Sequence, residues 1–98
     1  MNSQFRNQQE YKDTQSIQSF YEPALEILTQ LINRNKDNLR SKGYDENNAA
    51  ITKEEFAQEM ARRFRITQWL AHQVATSLIN ANLIKSFGGY VKLMEGEQ

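Results

Sequence analysis

Hydrophobic residues recur at intervals of three and four positions along three separate stretches of the chain. In the first stretch, these positions are Ile17, Phe20, Tyr21, Ala24, Leu25, Leu28, Leu31 and Ile32. This spacing is typical of one face of an amphipathic helix. Pro23 suits the first turn of a helix, where no amide donor is lost, and Gly43 suits the end of one. The pattern predicts a main helix over residues 23–40, after a short lead-in at residues 15–21.

A second helix is predicted over residues 53–64. Phe56, Met60 and Phe64 are spaced four positions apart, which places them in one buried stripe along the helix. Thr52 lies just before this stripe, and Glu55 lies three residues after Thr52. This spacing of threonine and glutamate is the arrangement of a capping box. In a capping box the threonine hydroxyl accepts a hydrogen bond from the glutamate amide, and the carboxylate reaches back to the threonine amide. The sequence therefore predicts where this helix begins.

A three-residue turn separates this helix from a third one, which is predicted over residues 68–82. Leu70, Val74 and Leu78 repeat the spacing of four positions. The alanines on the same predicted side are Ala71, Ala75 and Ala81. Thr67 is the candidate N-cap, because its hydroxyl can accept a hydrogen bond from an amide of the first turn. The third helix is therefore expected to bury its Leu70 side and to expose the opposite side.

After residue 82 the hydrophobic period changes to two. Two short runs rich in strand-forming residues, 83–87 and 90–94, flank the pair Gly88-Gly89. Both glycines accept the positive φ angles that a two-residue hairpin turn requires. These features predict a β-hairpin. Another short segment, residues 49–51, leads into the second helix and is expected to be a short strand.

The predicted order is helix, short strand, capped helix, three-residue turn, helix and β-hairpin. In this order residues 49–94 resemble the winged helix-turn-helix DNA-binding domain superfamily. The residues that carry the resemblance are Thr52-Lys53-Glu54-Glu55-Phe56-Ala57, Arg65-Ile66-Thr67, Leu78-Ile79-Asn80-Ala81-Asn82-Leu83-Ile84 and Phe87-Gly88-Gly89-Tyr90-Val91-Lys92-Leu93. Asn82 is expected to replace the glycine that often ends the third helix in this family, since asparagine tolerates the left-handed conformation. The resemblance implies a mostly helical α+β fold, with three helices and a C-terminal hairpin wing, in a domain of residues 15–98.

Residues 1–14 are predicted to form a flexible polar arm, because Phe5 and Tyr11 are their only large apolar groups. This arm either orders on a partner or is an untethered terminus. The chain has no cysteine, and no apolar run approaches the roughly 20 residues that span a bilayer. A cytoplasmic protein without membrane contact is therefore expected. With His72 as the single histidine and no recognisable nucleophile–base pair, we expect no enzyme activity, metal site or cofactor.

The side of the third helix opposite Leu70 carries residue types that are suited to DNA recognition. At about 100° per residue, this side holds Trp69, His72, Gln73, Thr76 and Asn80. Glutamine pairs with adenine, histidine donates to guanine, and threonine offers a methyl group to thymine. The resemblance implies that this helix enters the major groove while the wing touches the adjacent backbone. The predicted DNA-contacting residues are Lys53, Arg62, Arg63, Arg65, Thr67, Gln68, Trp69, His72, Gln73, Thr76, Lys85, Ser86 and Lys92.

Two features of this prediction leave alternatives open. Twelve basic and twelve acidic side chains balance, which argues against a strong non-specific nucleic-acid binder. The basic residues around the third helix either contact phosphates or form a solvated face that pairs with Glu54, Glu55 and Glu59. Trp69 either contacts DNA, docks on a protein or packs on its own chain.

The leading hypothesis is a small, sequence-specific protein that binds double-stranded DNA and regulates transcription. A homodimer would double the contact with a palindromic site. The predicted dimer surface consists of Phe20, Tyr21, Leu25, Leu28 and Ile32. The alternative is a winged-helix interaction module or adaptor, as in a replication or DNA-segregation complex, that does not recognise DNA by itself. Such a module would bind a protein partner through the Trp69 face or through the N-terminal arm.

Overall fold

The computed structural model describes residues 17–94, which form three main helices and a three-stranded antiparallel sheet. The helices are α1 (Tyr21–Ser41), α2 (Lys53–Phe64) and α3 (Gln68–Asn80), and the strands are β1 (Ile51–Thr52), β2 (Ile84–Phe87) and β3 (Tyr90–Leu93). A short 3-10 turn, Glu46–Asn48, precedes β1. The predicted mostly helical α+β class is confirmed. The arm predicted at residues 1–14 lies outside the described residues.

Helix α1 begins two residues earlier than predicted. A helical turn at residues 17–19 leads into it, and the Ala24 amide donates to the Phe20 carbonyl at 2.8 Å. Pro23 still lies in the first turn, where its missing amide costs no helical hydrogen bond. At the other end, Gly43 has a φ of 80° and the Tyr44 amide donates back to the Leu39 carbonyl at 2.8 Å. Gly43 therefore ends α1 as predicted.

The hydroxyl caps predicted for α2 and α3 are present, but the other half of the predicted capping box, a bond from the Thr52 amide to the Glu55 carboxylate, is not found among the described residues. The Thr52 hydroxyl oxygen accepts from the Glu55 amide at 2.9 Å, and the Thr67 hydroxyl oxygen accepts from the Leu70 amide at 3.1 Å. Between the helices, Arg65 takes a left-handed φ of 56°. This residue reverses the chain and ends α2. Local sequence signals therefore account for the three-residue turn.

Helix α3 ends at Asn80, two residues before the predicted end. Asn82 takes the left-handed conformation, with a φ of 61°, and the Leu83 amide donates to the Leu78 carbonyl at 3.0 Å. The predicted role of Asn82 is thereby confirmed. Ala81 was expected to face the core, but it is exposed because the helix has already ended. Leu70 was also expected in the core and is only partly buried.

The sheet is built around the predicted hairpin. Gly88 and Gly89 have φ angles of 52° and 83° and connect β2 to β3. Strand β1 pairs with the other edge of β3, so that the strand order is β1-β3-β2. The inward side of the sheet contains the buried residues Ile51, Ile84 and Val91. The hairpin is therefore attached to the rest of the fold through both β1 and its inward side chains.

One buried cluster joins α1, α2, α3 and the sheet. Its largest fully buried side chains are Phe56, Leu28, Met60, Leu78, Ile84, Val74 and Val91. Burial of these side chains is the main source of stability for a fold of this size. None of the helices within residues 17–94 has both the length and the apolar character that a membrane span requires.

The residues predicted as a dimer surface on α1 pack against their own chain, and the homodimer itself stays a prediction. Leu28 is fully buried and Ile32 is 2% exposed, because the apolar stripe of α1 covers the core of its own chain. Leu25 is partly buried against the same core. The Phe20 ring stacks on Phe64 with 5.1 Å between ring centroids, and the Tyr21 hydroxyl makes a hydrogen bond to Ser77. These five residues are therefore used within the monomer.

Candidate nucleic-acid interface

The exposed side of α3 is the first part of the site. Trp69 is 70% exposed, as predicted, because Ala71, Val74 and Leu78 bury the opposite side of the helix. Gln73 lies four residues after Trp69, and Thr76 lies three residues after Gln73, so that both are on the same side as Trp69. His72 and Gln73 are half-buried, and so are less exposed than the helical periodicity implied.

Lys53 connects this side of α3 to the hairpin. Its amide donates to the carbonyl of Gly89 at 2.9 Å, and its Nζ donates to the Thr76 hydroxyl oxygen at 2.8 Å. Lys53 is half-buried, which limits the directions its ammonium group can take. A positive charge is thus held where the hairpin turn meets the exposed side of α3. The Thr76 hydroxyl keeps its own proton and can still donate to a ligand.

The charge of the chain is unevenly distributed along the sequence. Residues 60–94 include five basic side chains and no acidic one, although the whole chain has a net charge of zero. The five are Arg62, Arg63, Arg65, Lys85 and Lys92. Helix α3 itself contains no Asp, Glu, Lys or Arg. Phosphates respond to the charges nearby and not to the total charge, so the three-dimensional partners of these five residues decide which of them could meet a phosphate.

Two of these basic residues belong to an ion-pair cluster on α2. Arg62 and Arg63 both donate to the Glu59 carboxylate, and the Arg63–Glu59 contact measures 2.6 Å. Arg63 also donates to Gln30 of α1 at 2.7 Å. The hydrogen bond from Arg63, supported by Arg62, holds the pKa of Glu59 below its ordinary value, although partial burial opposes the shift. For Arg62 and Arg63 the structure therefore favours the alternative of a paired, solvated face, with Glu59 as the partner.

The N-terminus of α3 brings together three of the other predicted residues. Arg65 is exposed at the end of α2, while Thr67 and Gln68 are exposed at the start of α3. The Thr67 hydroxyl is occupied as the cap, and the free amides of the first helical turn face the same end. A cation and a helix N-terminus therefore lie close together in sequence and space, a combination that suits an anionic group.

The outward side of the hairpin differs from the prediction. Lys85 and Lys92 are directly opposite each other in the β2–β3 pairing, whereas Ser86 is opposite the buried Val91. Because side chains alternate along a strand, Ser86 lies on the other face from Lys85. The three residues predicted as wing contacts therefore do not share one face.

Two aromatic residues that the site prediction omitted occupy this outward side. Phe87 and Tyr90 are cross-strand partners, and their rings stack with 6.1 Å between centroids. They are 44% and 46% exposed. The Lys92 Nζ lies 6.0 Å from the Phe87 ring centroid. The period of two along β2 and β3 would have placed Phe87 with Lys85 and Tyr90 with Lys92, so the signal was present in the sequence.

Comparisons with family models, curated proteins and solved structures found no match to this chain. Within residues 17–94, no group of three His, Cys, Asp or Glu side chains is placed to hold a metal ion. The surface formed by α3, Lys53 and the hairpin is the candidate nucleic-acid interface.

Proposed function

We propose that this chain is a winged helix-turn-helix protein that binds double-stranded DNA sequence-specifically and regulates transcription. In this proposal α3 is the recognition helix and the β2–β3 hairpin is the wing. The element order and the pairing of β1 with β3 support such a fold. The capped α3, which follows a three-residue turn after α2, supports its assignment as the recognition helix.

The position of Lys53 is the observation that carries the proposal. Its contacts with Gly89 and Thr76 hold an ammonium group between the recognition helix and the wing. A DNA duplex that meets both elements must pass its backbone near this junction. Lys53 is therefore assigned to a phosphate, together with Arg65 at the helix N-terminus and Lys85 on the wing.

Base recognition is assigned to the exposed side of α3. The Gln73 amide can form two hydrogen bonds with adenine, and the Thr76 hydroxyl or methyl group can contact a neighbouring base. His72 directly precedes Gln73, and Gln68, five residues before Gln73, lies at the margin of the same side. Trp69 is assigned to a deoxyribose or a thymine methyl group, since its ring offers a large apolar surface.

A selection of bound sequences from a random duplex pool, followed by titration of the selected duplex, tests the proposal. Gln73→Ala should weaken binding to the selected site about tenfold or more, with little effect on unrelated duplex. Lys53→Gln should weaken binding to both duplexes. Three phosphate contacts imply a log–log salt slope of about −2.7. Arg62→Ala is the matched control, because Arg62 is paired with Glu59.

Absence of duplex binding at about 50 mM salt, where electrostatic contacts are strong, would reject the proposal. Equal binding of all sequences by wild type and Gln73→Ala would reject sequence recognition by α3 while leaving DNA binding intact.

A second candidate function is a winged-helix adaptor that binds a protein partner. The 70% exposure of Trp69 favours it, because an exposed tryptophan is a common interaction hot spot. In that case Trp69→Ala should leave the fold and any duplex binding unchanged but abolish binding to a purified component of a replication or DNA-segregation complex. Loss of duplex affinity in the same variant would instead place Trp69 in the DNA interface.

A further inference from the structure

The outward side of the hairpin forms a surface that differs from the exposed side of α3. We name it the outer hairpin face and define it by Lys85, Phe87, Tyr90 and Lys92, which point to the same side of β2 and β3. It contains two stacked aromatic rings and two cations. Thr52 of β1 is opposite Tyr90, so this face also reaches the strand that precedes Lys53.

Folding alone does not account for this composition. Phe87 and Tyr90 leave nearly half of their surface in water, and so bury less apolar area than their size allows. Lys85 and Lys92 lie directly opposite each other beside these rings. A partner that has both flat apolar groups and negative charge would cover the rings and meet the two cations.

We propose that the outer hairpin face binds unpaired DNA, with bases stacked on Phe87 and Tyr90 and phosphates contacting Lys85 and Lys92. Aromatic rings next to basic side chains are the recurring composition of surfaces that bind single strands, since every base offers a π face. The bases of a duplex are already stacked on one another and cannot use these rings. This inference goes beyond the proposed duplex binding. Its aromatic residues lie outside the proposed duplex site, Lys85 is shared with that site, and the choice of DNA as the ligand rests on the proposed function.

The charges on and around this face favour a nucleic acid over a protein as the partner. The acid-free segment 60–94 contains the whole face. The Lys92 ammonium group donates to the Asn47 carbonyl at 3.5 Å and lies over the Phe87 ring. These two contacts keep it beside the aromatic pair. The backbone bond from Lys53 to Gly89 places the face next to the proposed duplex site. A strand that leaves the duplex can therefore continue onto it, and for this reason we assign it to DNA.

Titration of a fluorescent single-stranded DNA of mixed sequence, at about 50 mM salt, tests the proposal. Phe87→Val and Tyr90→Val remove the rings but retain side chains that favour strands. Each should weaken single-strand binding about tenfold. Phe87→Tyr and Tyr90→Phe retain a ring and should bind within about twofold of wild type. Lys85→Gln should reduce the log–log salt slope by about 0.7, the value for one phosphate on a single strand.

Amide chemical shifts of the full chain provide a readout that does not depend on substitutions. The single strand should shift the amides of residues 85–92 more than those of α3. Leu83→Ala is a control that should leave single-strand binding unchanged. Leu83 is 39% exposed, but it precedes β2 and is not part of the outer hairpin face. Gln73→Ala should weaken duplex binding and leave single-strand binding unchanged.

Several results would overturn the proposal: no binding of the single strand, full affinity in both valine variants, or shifts confined to α3. Tighter binding of the equivalent RNA would overturn the assignment to DNA. If the single strand binds and the duplex does not, the proposed function fails, single-strand binding by this face stands, and the comparison with RNA alone decides the assignment to DNA. If the duplex binds and the single strand does not, this inference fails and the proposed function stands.

Discussion

Helix α1 and the outer hairpin face both carry large apolar side chains at regular spacing, but the fold uses them in opposite ways. In α1 the regular positions, including Leu28 and Ile32, are buried by the same chain. On the hairpin, Phe87 and Tyr90 stay nearly half exposed. Regular spacing therefore indicates which residues share a face. Whether that face meets its own core or a partner depends on what the fold places opposite it.

The largest effect is expected from truncation of the α1 face. Leu28→Ala should lower the free energy of unfolding by about 2–5 kcal/mol, because it removes a fully buried side chain and leaves a cavity. Urea denaturation of wild type and variant measures this loss. Leu83→Ala is the matched control and should change the stability by no more than about 0.5 kcal/mol, since Leu83 is exposed. A stable Leu28→Ala variant with altered self-association would support the predicted dimer surface instead.

A smaller effect is expected at the contact between α1 and α3. Tyr21→Phe removes the hydroxyl that makes a hydrogen bond to Ser77 and should cost about 1 kcal/mol. Tyr90→Phe makes the same chemical change on the outer hairpin face and should leave the stability unchanged within error. Thermal unfolding of the two variants compares the regions directly. Equal losses in both would show that the Tyr90 hydroxyl also supports the fold.

The ion-pair cluster on α2 should contribute less, and its contribution should depend on pH. The pKa of Glu59 is lowered in the folded state, mainly by Arg63, so its stabilising effect is complete above the ordinary glutamate value. The effect is lost as pH falls through the lowered folded-state pKa. Glu59→Gln should therefore cost less than about 1 kcal/mol at neutral pH, and this cost should vanish once the pH is well below the lowered folded-state pKa. A loss that persists in acid would point to packing instead of charge.

The smallest change in stability is expected from Phe87→Val on the outer hairpin face. Valine favours strands and still packs beside Tyr90, so the free energy of unfolding should stay within about 0.5 kcal/mol of wild type. Urea denaturation gives this value, and the same protein sample then serves for the single-strand titration. A loss above about 2 kcal/mol would place Phe87 in the core and remove the contrast with α1.

Much of the secondary structure followed from local signals. Thr52 and Thr67 cap their helices, Asn82 turns the chain after α3, and the two glycines form the hairpin turn. Each of these features depends on residues no more than a few positions apart, where backbone geometry and short hydrogen bonds decide the outcome. Helix ends were displaced by two residues at α1 and α3, because neighbouring turns can extend or shorten a helix at little cost.

The candidate site was predictable only in part. The outward direction of Trp69 followed from helical periodicity, which is a local property. The position of the Lys53 ammonium group could not be predicted from the sequence. Its hydrogen bond to Thr76 joins residues 23 positions apart and forms only when α2 packs on α3. The hydrogen bond from Arg63 to Gln30 also depends on a neighbouring helix, because the two residues are 33 positions apart in sequence.

The sequence alone determined where the helices, their caps and the hairpin lie, since those depend on residue types at short range. Tertiary packing decided how the faces are used. It buried the α1 stripe, occupied Arg62 and Arg63 with Glu59, and held Lys53 between α3 and the hairpin. The reason is physical: an amphipathic face gains the same free energy from any apolar surface that covers it. Only the three-dimensional arrangement shows that α1 is covered by its own chain while the outer hairpin face remains open to solvent.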